Sequence, residues 1–235
     1  MHKAGDVNHD TTAAETRVLH SQKRYTLPSG AREIILVRHG ASASDIARKL
    51  AYGDLSLADP PLSPEGCAQA EVVAKRLERE PITHIFVTPL QRTQQTAAPL
   101  AKLTGIAPVV IPGLREAHMG DWEHEFYARA AAQDPLLKRM LIEGSWEVIP
   151  NAERMDDFAA RVRTGVGQIA DALAEGCAAV AFVHGGTIGE LCRQATGSHA
   201  FAFFAPENTS ISRLVIHQDG HWGLRTYNDV SHLVP

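Results

Sequence analysis

Glu33-Ile34-Ile35-Leu36-Val37 is a short, almost wholly apolar run, and the pattern recurs at Ile85-Phe86-Val87-Thr88 and across Ala178–Val183. Runs without polar alternation suit strands covered on both faces, the usual condition in parallel sheets. Pro108-Val109-Val110-Ile111 is a shorter fourth candidate. Between the runs the period becomes helical. Ser63 is suited to capping a helix that has Pro64 at its first position and Cys67, Ala70, Ala74 and Leu77 along one face. A second stripe carries Met155, Phe158, Val162, Val166, Ile169 and Leu173 and stops at Glu175-Gly176. Arg92–Leu103 and Thr187–Gln194 are further helical candidates. Strands alternating with helices predict an α/β domain. Ser210–Ile216 and Gly223–Tyr227, around the turn-forming Gln218-Asp219-Gly220-His221, predict a hairpin at a sheet edge.

Two stretches stand apart. Residues 1–32 are polar, mixed in charge and end in the turn chemistry of Leu27-Pro28-Ser29-Gly30, so they read as a flexible N-terminal extension to a single domain over 33–235. Residues 124–150 read as an insertion of two short helices around Asp134-Pro135.

Composition narrows the function. In 235 residues, 23 Lys and Arg stand against 27 Asp and Glu, a net charge of −4, with no long basic stretch, which argues against a nucleic-acid partner. The 3 cysteines, without C-x-x-C, exclude a disulfide framework or a thiolate-rich zinc site and suit reduced thiols. No run is apolar enough for a membrane span, and the N-terminus lacks a signal-peptide core, so the chain is expected in the cytoplasm.

In open α/β sheets ligands collect at the carboxyl ends of strands. The successive runs empty into Arg38-His39-Gly40, Thr88-Pro89-Leu90-Gln91-Arg92, Arg115-Glu116 and His184-Gly185-Gly186. Each piece alone has an ordinary structural reading; their joint position is what points to chemistry. The set suits a phosphoryl group. Guanidinium forks match phosphate oxygens, a neutral imidazole nitrogen attacks phosphorus, and glycines opening a helix bring backbone N–H groups to an anion. Glu116 is left as the acid that protonates the leaving alcohol and the base that activates water.

Leu36-Val37-Arg38-His39-Gly40, Pro61–Gly66 with Gln69-Ala70, Thr88–Arg92 with Gln95-Thr96-Ala97, Leu114-Arg115-Glu116 with Gly120–Glu123, and Val183–Ile188 resemble, in order, the motifs of the histidine phosphatase superfamily, the phosphoglycerate mutase-like branch 1. Asn208-Thr209-Ser210 and Asn228–Leu233 are similar to its C-terminal signatures. The resemblance implies a three-layer α/β/α sandwich with a mostly parallel sheet and a phosphohistidine mechanism without metal or cofactor. His39 would be the nucleophile and Glu116 the general acid and base. His184 would share the catalytic work and, with Arg38, Arg92 and Gly185, hold the phosphoryl oxygens. Ala41 replaces the family's usual acid or amide, Asp45 stands at its usual Asn, Gly189 where many members carry Arg, and His124 where Gly is common. Asp45 either pairs with a neighbour such as Arg48 or turns toward a hydroxyl or amine of the substrate.

These readings favour hydrolysis of a small phosphorylated metabolite, metal-independent and histidine acid phosphatase-like. The nearest alternative is a phosphoglycerate mutase-type transferase, and a more remote one a phospholigand-binding protein without turnover. Ala117–Glu123 lacks the basic, Tyr-containing segment usual in the mutases. A serine hydrolase fails because Gly40-Ala41-Ser42-Ala43-Ser44 lacks the last glycine of its elbow; G-x-G-x-x-G and H-E-x-x-H are absent too. Ser42, Asp45, Tyr52, Arg115, Trp122 and Phe126 are the candidates for contact with the alcohol half of the substrate. The expected partner is the small substrate itself, with a homodimer left open and neither nucleic acid nor membrane.

Overall fold

The computed structural model describes residues 24–43 and 49–233. In chain order its elements are β1 (Arg32–Arg38), β2 (Lys49–Tyr52), β3 (Leu55–Ala58), α1 (Pro64–Leu77), β4 (Ile82–Val87), α2 (Gln91–Thr104), β5 (Pro108–Val110), α3 (Phe126–Ala131), α4 (Pro135–Glu143), α5 (Met155–Ala172), β6 (Ala178–Val183), α6 (Gly185–Thr196), β7 (Ile211–Ile216) and β8 (Trp222–Asp229). Short 3-10 turns lie at Pro112–Leu114, Gly120–Trp122 and Trp146–Val148.

The apolar runs become adjacent strands of a 6-stranded sheet ordered β5-β4-β6-β1-β7-β8. β1, β6, β4 and β5 pair in parallel, while β7 is antiparallel to both β1 and β8. The expected α/β fold with a mostly parallel sheet is the observed one. Side chains alternate across the sheet as a strand requires. Ile34 and Leu36 face a core shared with Phe158, Val162 and Ile169 of α5 and with Ile188 and Leu191 of α6. Ile35 and Val37 face the opposite core, built with Val73 and Leu77 of α1 and with Ala97 and Leu100 of α2. The helices thus form a layer on each face. β1, β4 and β6 point their carboxyl ends at one edge, where connections leave in different directions and a crevice opens.

Local chemistry fixes the first of these connections. The Ser63 hydroxyl accepts the Gly66 N–H, capping α1, and the Ser63 N–H donates to the Ala41 carbonyl, binding the helix start to the loop after β1. The approach is so close that a Cβ at Gly66 would stand 1.9 Å from the Ala41 oxygen.

Several elements differ from expectation. β1 starts at Arg32, one residue ahead of the proposed domain boundary, because its Nε donates to the Leu173 carbonyl and anchors the strand start. Of the N-terminal extension over 1–32, residues 1–23 lie outside those described, and Tyr25 rests on the guanidinium of Arg225. The antiparallel pair β2–β3 was not anticipated: Leu50, Leu55 and Leu57 are spread too thinly for a period-2 signal. α6 begins at Gly185, two residues before the expected Thr187. The stretch 124–150 holds α3 and α4, the second capped by Asp134 with Pro135 at its first turn. Among the described residues no helix is long and apolar enough to cross a membrane.

Replacing Gly66 by Ala is expected to lower stability by about 1–3 kcal/mol through overpacking. Gly167, inside α5 with nothing within 4 Å of a would-be Cβ, should instead gain about 0.5–1 kcal/mol as Ala. Urea unfolding of the two variants checks this; equal effects would contradict the close α1 contact.

Candidate active site

At the end of β1 the chain must turn sharply while keeping His39 still, and neighbouring elements supply the hold. The His39 N–H donates to the Val183 carbonyl, Gly40 N–H to Thr96 Oγ1 at 3.0 Å, Ala41 N–H to Gln69 Oε1 at 2.9 Å, and Asn208 Nδ2 to the His39 carbonyl at 2.8 Å. Every residue of the turn is therefore tied by its backbone.

The hydrogen bonds of the His39 ring settle its tautomer. Nδ1 faces the Gly40 carbonyl at 2.8 Å, an acceptor only, so Nδ1 carries the proton. Nε2 receives the Nε–H of Arg92 at 3.2 Å and must hold the lone pair. Burial, followed by the charges of Arg92 and Arg38, lowers the His39 pKa well below the ordinary 6.5. His184 is lowered likewise, by burial first and then by Arg92 and His39. Its ring stands edge-on to His39, centroids 5.3 Å apart, with Nε2 3.0 Å from Thr88 Oγ1. The site thus holds two neutral imidazoles beside two guanidinium groups.

Two polar atoms here are buried without a partner, Arg38 Nε and His184 Nδ1. Arg38 Nη1 donates to the Pro206 carbonyl and Arg92 Nη1 to that of Ala58, which aims both side chains. When Nε2 of His184 accepts from the Thr88 hydroxyl, Nδ1 carries the proton, and Arg38 Nε and His184 Nδ1 are both free donors. Buried donors are seldom left unmade, at a cost of about 1–3 kcal/mol each. An oxyanion beside His39 would satisfy them.

Glu116 lies at the start of α6, accepting the Gly186 N–H at 2.9 Å and the Ala117 N–H at 3.1 Å. A Cβ on Gly186 would come within 2.5 Å of its Oε1, so the glycine makes room for the carboxyl group. The backbone of Glu116 is clamped as well. Arg161 of α5 donates to the carbonyls of Gly113, Arg115 and Glu116, and its charge is met by Glu153 at 2.6 Å.

Arg38, His39, Ser42, Arg92, Glu116, Gly185 and Phe126, all anticipated, line one cavity of about 490 Å³, with His184 fully buried behind His39. The other anticipated contacts are elsewhere. Arg115 is occupied by Glu153 and by the carbonyl of Glu116, with Tyr52 beneath it, because a buried guanidinium needs its own anion. Trp122 is taken into the core against Phe126, where its large ring buries most area. Asp45 and Arg48 lie outside the described residues. Sequence reasoning missed the clamp by Arg161 and Glu153, whose partners are distant in the chain, and the aromatic wall at Phe201, Phe203 and Phe204, for which the run Phe201-Ala202-Phe203-Phe204 was the available signal. Among the described residues no group of three or more His, Cys, Asp or Glu could hold a metal ion.

The family "Histidine phosphatase superfamily (branch 1)" matches residues 34–230, which span every strand and helix of the site. The chain belongs to this superfamily. It is 31% identical over 208 residues to a "Probable phosphoglycerate mutase GpmB" of Photorhabdus laumondii, covering 86% of this chain and 94% of that one. Among solved structures, a mycobacterial glucosyl-3-phosphoglycerate phosphatase in complex with inorganic phosphate is 26% identical, with a TM-score of 0.70, over 86% of this chain and 100% of that one. A phosphoglycerate mutase of Bacillus anthracis, 22% identical, shares the fold with a TM-score of 0.69 over 87% of this chain and 96% of its own. Departures from the superfamily pattern have local causes. At Gly189 the Phe203 carbonyl comes within 2.6 Å of where a Cβ would stand, so the arginine seen in many members has no place. His124 instead meets Ser56 of β3 at 3.3 Å.

The lowered histidine pKa values have a consequence for folding. Unfolded imidazoles bind protons near pH 6.5, while His39 and His184 in the folded chain do so only at lower pH. Stability is therefore full above about pH 6.5 and declines as pH falls toward the folded values, by up to about 1.4 kcal/mol per pH unit for each imidazole. His39→Gln should make the decline of urea-unfolding stability below about pH 6.5 shallower than in the parent. A variant as pH-sensitive as the parent would contradict a buried neutral His39.

Proposed function

We propose that the protein is a phosphomonoester hydrolase working through a phosphohistidine on His39. The reading rests most on the lone pair of His39 Nε2, held beside Arg92, together with two buried polar atoms without a partner, Arg38 Nε and His184 Nδ1. In the first step Nε2 attacks phosphorus, the N–P bond forms as the bond to the ester oxygen breaks, and the acid form of Glu116 gives its proton to the departing alcohol. In the second, Glu116 takes a proton from water, which attacks phosphorus, and the N–P bond breaks to release inorganic phosphate. Arg38, Arg92 and His184 stabilise the transferring group throughout, a task for positive charge and fixed donors. Its 3 cysteines, free where the structure describes them, suit a reducing compartment, and a cytoplasmic location is part of the proposal.

The relative named a probable phosphoglycerate mutase favours a second reading, in which an organic hydroxyl replaces water. Against it stands the charge available around the acceptor. Among the described residues, apart from Arg38 and Arg92, the only cation lining the cavity is Arg193, and Glu190 engages it at 2.7 and 2.8 Å. A phosphoglycerate brings a carboxylate that these described residues do not answer.

With aryl and alkyl phosphates, phosphorus NMR should show inorganic phosphate as the product, and His39→Ala should release none. Glu116→Gln should lower kcat by about 10²–10⁴-fold for an alkyl ester, whose leaving group needs the proton, and far less for p-nitrophenyl phosphate. Transfer to a phosphoglycerate in preference to water would establish the mutase instead, and an active His39→Ala would remove the nucleophile.

A further inference from the structure

Among the described residues, Arg38, His39, Arg92 and Glu116, the proposed phosphoryl-binding and acid–base groups, share the cavity with a mainly apolar wall. Its walls include Leu57 of β3, Phe126 of α3, Leu137 and Met140 of α4, Trp146 and Phe203. The charged side chains on that wall are engaged with protein groups. Glu190 and Arg193 hold each other, and Glu123 accepts the N–H groups of Ala58 and Met119 at 2.9 and 2.8 Å. A polyol or carboxylate would therefore leave its hydration for a surface with few polar groups to offer, a loss unless hydrogen bonds are regained.

The mouth of the cavity repeats the pattern. Tyr127, Leu141 and Phe204 line it while 58%, 48% and 49% exposed, and Ile142, next to Leu141, is 74% exposed. Apolar side chains gathered in water beside a binding site mark a surface that a ligand covers. The patch is continuous with the floor at His39 and Arg92, so a single molecule can reach from one to the other. About 490 Å³ lies within the usual range of small-molecule sites, roughly 300–1,000 Å³.

We infer, resting on the phosphohydrolase reading, that the natural substrate is the monoester of a bulky apolar alcohol, with an alkyl or aryl body against Phe126, Met140, Trp146 and Phe203 and its far end at the Tyr127–Leu141–Phe204 rim. The insertion bearing α3 and α4 is then the specificity element: it supplies much of the apolar wall and none of the groups that act on phosphorus. Hydrolysis of such an ester separates a polar phosphate from an apolar alcohol, so the reaction that consumes the product acts on a lipophilic hydroxyl compound.

The test uses two series with the full chain. In the first, kcat/KM is measured for n-butyl to n-octyl phosphate, phenyl phosphate, 3-phosphoglycerate and glucose 6-phosphate; in the second, the affinities of the matching alkylphosphonates, which cannot be hydrolysed, are measured by calorimetry. Affinity and kcat/KM should rise about fourfold per methylene at the start of the series, with the octyl and phenyl esters well above both polar phosphates. Leu141→Gln, at an exposed position that folding tolerates, should flatten the rise at the longer members. A flat series in an active enzyme, or a preference for 3-phosphoglycerate or glucose 6-phosphate, overturns the apolar substrate. A steep phosphonate series without turnover of any ester keeps the apolar chamber and overturns the hydrolase reading on its own.

Discussion

Arg38 and Arg92 flank an imidazole taken out of water, and a second proton on that ring would be repelled by both guanidinium groups in surroundings too dry to screen them. This constraint organises the rest of the site. Because His39 is neutral, one nitrogen must be the donor and the other the lone pair, and the Gly40 carbonyl decides which. Because Nε2 faces Arg92, the lone pair lies among the cations that would receive a phosphoryl group. The same positive charge that disfavours the imidazolium in the free protein favours an oxyanion, so in the proposed reaction the nucleophile is kept ready by the groups that bind its target.

Holding like charges together needs a scaffold that does not relax. Adjacent parallel strands β4, β6 and β1 provide it by ending side by side at one edge. The loop after β1 is fastened by Thr96 from α2, Gln69 from α1 and Asn208 before β7, while Arg161 from α5 fastens the loop carrying Glu116. Helices from both faces of the sheet thus converge on the catalytic edge, and the energy stored in the two apolar cores is what keeps the unpartnered donors of Arg38 and His184 from turning elsewhere.

What the sequence discloses follows from the range of each interaction. The buried strands and amphipathic helices were legible because burial imposes a local period, and Arg38, His39, Arg92, Glu116 and His184 because strand ends are short and chemically conspicuous. β2 and β3 were not legible, since a pair of four-residue strands carries too few positions for a pattern. Arg115 and Trp122 look, from residue type alone, like ligand contacts; only the arrival of Glu153 and of the core around Phe126 shows where they go. The aromatic wall at Phe201–Phe204 faces the site because Trp146, from the distant insertion, stacks against Phe201. Such partnerships exist only in three dimensions.

The catalytic edge and the apolar chamber answer different questions, one the reaction and the other the molecule that undergoes it, and both depend on where phosphorus is held. The most direct measurement is phosphorus–nitrogen correlated NMR on enzyme labelled at its histidine nitrogens and trapped during turnover by rapid quenching into base. The geometry predicts a single phosphoramidate signal coupled to Nε2 of His39. Phosphorus on Nδ1 of that ring, or on any other residue, would contradict the account.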